Sequence, residues 1–305
     1  MAQTLDHSSN WPHLLETGLR KIFFDAFRSK PMVFPLLFDV VNMSKKTIED
    51  LGDAGSITPM EEWQGQVKYE GLQEGYSTSI TAVGFTRGIK IETQLVRDDQ
   101  YNVIRRRPQG LGLAARRSME NRAARVFTSG TATTYHTGGD AVALFAHNHP
   151  RRDGGAVQAN EGTSALTPAN IEATRQLMLA FKDNTGQDID TNPDTILIPR
   201  ALQQTAFEIL FADGKPQMSG ISETHHPNFF SGMYKLIVWD KLTDADAWYM
   251  LDSELMKQFL LFGIRDPLEF SQDGEFDTRM AKYAAWWRGE VGFTDWRWGF
   301  AQIPG

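Results

Sequence analysis

The chain has 305 residues, 41% of them hydrophobic, and a formal net charge of −7. That supports one large or two modest cores and argues against a generic nucleic-acid binder, while leaving room for one basic face. The absence of cysteine excludes disulfides and thiolate metal sites, and the sequence has neither a signal peptide nor an apolar run near the roughly 20 residues of a transmembrane helix; a soluble protein, cytoplasmic where it is made and without a membrane partner, is expected.

Residues 1–13 are polar and read as loose. Leu15, Leu19, Ile22, Phe23 and Ala26 then fall at helical spacing, with Phe24 and Phe27 widening the stripe, so a short aromatic helix is predicted. In PMVFPLLFDVV, Pro31 and Pro35 argue against a helix or central strand and predict extended apolar chain. Such a segment needs cover, from its own domain or from another copy. Gly52 to Gly75 is rich in glycine and acids, with Met60, Trp63 and Tyr69 scattered through it; loops of this length are functional or disordered. Tyr76, Thr78, Ile80 and Ala82, then Ile89 and Ile91, alternate with polar or small residues and predict an antiparallel pair projecting with that loop.

The organising stretch is GLGLAARRSMENRAARVF, within a helix expected at about 110–128. Leu111, Ala115, Met119, Ala123 and Phe127 recur at i, i+4, with Val126 beside them. Pro108, Gly110 and Gly112 read as its start and Ser129-Gly130 as its stop. Arg116, Arg117, Arg122 and Arg125 decorate it, with Glu120 the only acid. Two readings stay open: an amphipathic core helix with solvated arginines, or a helix on a sheet whose arginines reach neighbouring subunits or nucleic acid.

Residues 130–165 show little periodicity; only Ala141–His147 reads as a buried strand. Thr167 is the expected N-cap and Pro168 the first residue of a helix lined by Ile171, Thr174, Leu177, Met178 and Phe181. Thr195–Ile198, Tyr234–Trp239 and Ala247–Leu251 read as strands, with a helix through Leu202, Ala206, Ile209 and Leu210. From Pro267 the pattern is strand-like and aromatic. The fold class is α+β, with strands and helices segregated.

His147 and His149 beside Asp153 keep a metal-dependent hydrolase or nuclease as an alternative, since two imidazoles at i and i+2 can share a metal if a third ligand joins them. Loop histidines next to proline are more commonly solvated or bonded to backbone. His225-His226 reads the same way. Asp244-x-Asp246 lacks the remaining ligands of a calcium loop and reads as a polar turn. There is no P-loop, no G-x-S-x-G elbow and no cysteine nucleophile. No catalytic, cofactor or metal residues are therefore expected, and the chain is not expected to be an enzyme. What remains is a greasy arm, a long projecting loop and an aromatic tail, features of a protein that associates with itself.

These segments, in order, resemble the tailed-phage major capsid proteins, in particular the Mu-like major head subunits with the Hong-Kong-97-type capsid fold. LETGLRKIFFDAF is similar to the arm helix. GFTRGIKIETQLVRDDQYNVI and LGLAARRSMENRAARVF resemble the return strand of the extended loop and the spine helix. LFAHNHP, NPDTILIPRALQQTAFEIL, DKLTDADAWYMLD and FDTRMAKYAAWWRGEVGFTDWRWGF resemble the later segments. The resemblance implies an N-terminal arm at 1–52, an extended two-stranded loop at 53–85, a peripheral domain at 86–166 with the spine helix and a long sheet, an axial domain at 167–265, and C-terminal strands at 266–305 completing the peripheral domain. It implies hexamers and pentamers closing an icosahedral shell around DNA, with a portal and a decoration protein as candidate partners; an accessory head or tail oligomer is the other structural alternative.

Leu19, Phe23, Phe27, Phe34, Trp63, Tyr69 and Tyr76 are the expected contacts between subunits, and Arg116, Arg117 and Arg125 the expected basic groups of the inner wall. Many relatives carry a cleaved scaffolding segment ahead of the arm. Here the arm begins early, so the expectation is either a separate scaffolding protein or a processed form of the sequence, with the initiating methionine favouring the former. Some relatives cross-link through a loop lysine; Lys68 lies in the right region without an evident partner, so no cross-link is expected.

Overall fold

The computed structural model describes residues 11–43, 48–52, 62, 66, 69, 77–92, 103–211, 228–275 and 280–305. In chain order its elements are α1 (Trp11–Phe27), α2 (Phe34–Leu37), β1 (Asp39–Asn42), β2 (Ile48–Gly52), β3 (Ser77–Thr81), β4 (Val83–Glu92) and the long helix α3 (Val103–Thr128). There follow β5 (Glu161–Gly162), α4 (Pro168–Leu179), β6 (Thr195–Ile198), a single 3-10 turn (Arg200–Leu202), α5 (Gln203–Phe211), β7 (Lys235–Val238) and β8 (Trp248–Leu251). The chain ends with α6 (Ser253–Phe259), β9 (Leu260–Glu275), β10 (Met280–Phe293) and β11 (Gly299–Gln302).

Two sheets frame the fold. One has the order β1-β9-β10-β4, with β1 parallel to β9 and the others antiparallel; the second has the order β5-β11-β8-β6-β7. The main core draws on both, on α2 and on the second half of α3. Phe127 sits at its centre, edge-on to Phe38, Trp239, Tyr249 and Trp298 at centroid distances of 6.3, 6.0, 5.2 and 6.0 Å. Each such aromatic pair is worth about 1 kcal/mol beyond the area it buries. A second cluster packs Leu19 and Phe23 of α1 and Leu111 and Ala115 of α3 onto Phe270 and Tyr283 of the long sheet.

Several expectations are corrected. PMVFPLLF is not extended: Pro35 sits in the first turn of α2, where a missing amide hydrogen leaves no bond unmade. The long helix starts at Val103, with Pro108 buried inside it, so Pro108, Gly110 and Gly112 do not mark its start. Ala141–His147 forms no strand; its buried backbone is satisfied by Gly130 and Asn160 instead. The antiparallel pair at the loop is β2 with β3, while β4 leaves at Ala82 and pairs with β10 along its whole length. Leu177 is half exposed, whereas Ile171, Thr174, Met178 and Phe181 are buried.

Helix α6, capped by Asp252, was not anticipated. β9 enters the long sheet at Leu260, within the segment assigned to the axial domain, and β11 joins the five-stranded sheet rather than the long one. Pro267 is tolerated inside β9 because Pro267 and Leu268 together face Trp287 in a bulge, where no ladder bond is required of it.

Candidate functional site

The long helix α3 is where arm, sheet and second lobe meet, and its side chains do the joining. Backbone contact comes first. A Cβ on Gly112 would lie 2.4 Å from Phe23 O, so α1 crosses α3 at main-chain distance. One turn on, Arg116 donates to Pro31 O at 2.7 Å. One turn further, the buried Glu120 accepts from Val33 N at 2.7 Å and from Trp239 Nε1 at 2.6 Å. A single carboxyl group thus ties the arm to the helix and the helix to the segment after β7. Arg122 makes a bidentate pair with Glu290 of β10 and lies 5.5 Å from the Phe85 ring of β4. Sequence reasoning missed Glu120 and Glu290. The available signal for Glu120 was its position, a lone acid beside the apolar stripe of an arginine-rich helix.

The expected subunit contacts divide. Leu19, Phe23 and Phe34 are buried in this chain's own cores, so no neighbour is needed to cover them; Phe34 lies 4.6 Å from Phe262. Phe27 is half-buried on the same packing. Tyr69 is 92% exposed. Trp63, Tyr76 and Lys68 lie outside the described residues. Of the three expected inner-wall arginines, Arg116 donates to Pro31 O and Arg125 stacks 4.0 Å over the Tyr135 ring, both half-buried, while Arg117 is exposed.

The histidine cluster does not converge. His149 is buried, with Nδ1 2.6 Å from Asp140 Oδ2, Nε2 3.1 Å from Asn160 Oδ1 and its ring stacked 4.1 Å from Trp296. Asn160 in turn donates to Leu144 O and Gly299 O. His149 is therefore a pin between an irregular segment and the C-terminal strands, satisfied as a buried polar group must be. His147 is exposed and 3.4 Å from Glu161. Asp153 accepts from Gly155 N and pairs with Arg151, which hold its carboxyl below the usual range. Each member of the proposed metal trio is engaged separately, and the sequence expectation of solvated or backbone-bonded histidines fails for His149. His225 and His226 lie outside the described residues.

A cleft of about 460 Å³ opens between β3, the end of β10 and the Tyr135–Thr137 turn. His136 lines it, its pKa lowered to about 4 chiefly by burial, with Arg122 and Arg125 lowering it further and Glu290 opposing them. Between about pH 6.5 and pH 4 the unfolded chain binds a proton that the folded chain resists, so stability falls as pH drops through that window. The loss is about 3 kcal/mol at the acid end. Chemical unfolding at stepped pH should show it, and His136→Gln should flatten the acid limb. An unchanged limb would remove His136 as its cause.

The overall fold, with an arm helix packed across a long helix beside two sheets, is similar to that of solved capsid subunits. The chain resembles the bacteriophage JBD30 procapsid subunit with a TM-score of 0.55 and 16% identity, covering 98% of this chain and 77% of that one. It resembles the subunit of the JBD30 capsid with a TM-score of 0.58 and 14% identity over 78% of this chain and 100% of that one. For the mature capsid of bacteriophage PhiM1 the TM-score is 0.57 and the identity 12%, over 90% and 87%. No curated protein sequence matches the chain. The sequence profile of the phage capsid protein family matches residues 75–302, from β3 to β11, and the chain belongs to that family.

Proposed function

We infer that this chain is the major head subunit of a tailed phage, with copies arranged as hexamers and pentamers in a closed icosahedral shell around packaged DNA. The observation that carries this is the family match, which takes in the long helix, the five-stranded sheet and every strand of the long sheet except β1. A capsid protein resides in the virion, and its function is structural. The surface supports the reading. Val40 and Val41 lie exposed on the edge strand β1, Phe207 and Phe211, 5.3 Å apart, are exposed on α5, and Phe229 is exposed ahead of β7. Apolar surface and open strand edges of this kind are covered when copies assemble. A scaffolding protein, a portal and a decoration protein complete the expected set of partners.

The test is negative-stain microscopy of the full chain expressed alone and together with a scaffolding protein from the same genome. Polyhedral particles tens of nanometres across are expected. Small oligomers in every combination would overturn the shell assignment. Removing residues 1–40 is not a clean probe of the arm, because Phe23, Phe34, Leu37 and Phe38 belong to the chain's own cores and their loss removes stability as well.

A further inference from the structure

The cleft beside β3 holds a polar group that the fold leaves without an answer. In the turn 131–137 every residue is exposed except His136, which is half-buried and lines the cleft. Its Nε2 is buried and has no hydrogen-bond partner among the described residues. Buried polar atoms of this kind are rare in native proteins, and each calls for a reason. Packing does not supply one, since a phenylalanine would fill the same place without an orphaned nitrogen.

The surroundings decide how the ring meets a proton. Glu290 of β10 and Arg122 and Arg125 of α3 are the charged groups that act on it. From β3 the cleft receives Thr78, Ser79, Ile80 and Thr81, none of which titrates, and the turn itself adds the Tyr135 phenol. Glu290 alone among these favours a charged imidazole, but both of its oxygens already accept from Arg122, and Oε1 accepts from Val291 N as well. An imidazolium held in the cleft would face two guanidinium groups and a carboxylate that is already neutralised. Burial and both arginines therefore keep the group at about 4, below its ordinary 6.5.

Leaving the cleft is the cheaper response, because little holds the turn down. Among the described contacts, it is tied to other elements by a long hydrogen bond, Thr78 Oγ1 to Thr137 O at 3.4 Å, and by the Arg125 guanidinium over the exposed Tyr135 ring. β3 is itself lightly anchored. Ile80 and Ala82 share a small buried cluster with Met43, and Ile80 lies so close over β10 that a Cβ on Gly292 would fall 2.4 Å from it. Beyond Thr81 the chain passes into β4 and its long ladder with β10. The turn adds a second hold on the root of the β2–β3 pair.

We propose that the turn 131–137 is an acid-released latch on the root of the β2–β3 pair: a proton taken up by His136 carries the imidazole out of the cleft and parts Thr137 from Thr78. In the open turn the ring is solvated and titrates at its ordinary value, so the two forms of the turn differ in their appetite for a proton. Above about pH 6.5 neither form holds it, and the closed turn prevails. Between 6.5 and about 4 only the open form takes it up, and below that both do, so the bias levels off. From pH 7 to pH 5 the ratio of open to closed turn rises about 20-fold, toward a limit of about 300-fold in stronger acid. The latch belongs to the single chain and stands whether or not copies form shells.

The experiment places spin labels on the unassembled full-length chain, which has no cysteine of its own, through Ser79→Cys/Thr134→Cys, both exposed. Pulsed electron paramagnetic resonance then reads the distance between β3 and the turn from pH 7 to pH 4. A second, longer distance should appear as the pH falls, its ratio to the short one rising about 20-fold between pH 7 and pH 5. A control pair on the other lobe, Arg200→Cys/Thr243→Cys, should keep a single distance throughout. His136→Gln should abolish the longer distance in acid. His136→Phe should do the same, because it fills the place of the ring without titrating, and it keeps the test if glutamine disturbs the fold. The absence of a longer distance down to pH 4 would overturn the proposal, as would its appearance at the same pH in the two His136 variants. Loss of the control distance in step with that of the turn would overturn it too, since the chain would then be unfolding as a whole.

Discussion

Replacing Gly112 with alanine should cost the chain about 2 kcal/mol, while the same substitution at Gly110 should stabilise it by about 1 kcal/mol. Both glycines lie inside α3, and alanine is the better helix former at either site. The difference is the space outside the helix. A Cβ at Gly110 would meet nothing within 4 Å. At Gly112 it would meet Phe23 O at 2.4 Å, Ala26 Cβ at 3.2 Å and Phe27 N at 3.2 Å. Two of these three atoms are main chain and cannot rotate aside, so α1 must be pushed off α3 as a body. Leu19, Phe23, Leu111 and Ala115 then lose part of their shared burial. Urea unfolding of the unassembled chain measures both variants. A Gly112→Ala protein as stable as its parent would mean that α1 does not cross α3 at backbone distance. Gly112→Val should be worse than Gly112→Ala, because its branched side chain adds volume at the same point.

That pair of glycines also shows where sequence reasoning stops. The apolar stripe was legible: Leu111, Ala115, Met119, Ala123, Val126 and Phe127 are all buried. So was the cap of α4, where the Thr167 side chain accepts from Asn170 N and Pro168 opens the helix, and so was the short strand Thr195–Ile198. These depend on neighbours in sequence. Gly110 and Gly112 looked like breakers because nothing local says that a second helix lies against one of them. Pro35 looked like a bar to helix because its place in the first turn depends on where the turn begins.

The phenylalanines of the arm carried a related ambiguity. Periodicity says that Phe23 is buried and apolar composition that Phe34 needs cover, but neither says from which molecule; both lie in this chain's own cores. Ala141–His147 had strand composition, yet Asn160 bonds its backbone from the side, with its amide nitrogen donating to Leu144 O and its oxygen accepting from Ala146 N. The family, by contrast, was legible in the order of the segments, because order survives where each motif is individually weak.

Changing Glu120 to glutamine should cost about 3 kcal/mol even though the side chains are nearly the same size. Both carboxyl oxygens accept, one from Val33 N and one from Trp239 Nε1. Glutamine offers one acceptor and one donor, so one of those two N–H groups would face another N–H in a buried site. The loss of a bond to an ionisable acceptor and the stranded donor each contribute about 1–3 kcal/mol. Glu120→Ala strands both donors and leaves a cavity, and should be at least as damaging.

A double-mutant cycle with Trp239→Phe isolates the indole bond. Phenylalanine removes the donor, so Trp239→Phe should cost less in the Glu120→Gln background than in the natural chain, by about 1 kcal/mol or more. Strict additivity would mean that the carboxyl group and the indole act independently. The consequence reaches beyond stability, because Val33 leads directly into α2 and the edge strand β1. If Glu120 holds that segment, Glu120→Gln should expose it to limited proteolysis between Ser29 and Asn42 before the rest of the fold gives way. A cleavage pattern identical to that of the natural chain would show that Phe34, Leu37 and Phe38 seat the segment without help from the carboxyl group.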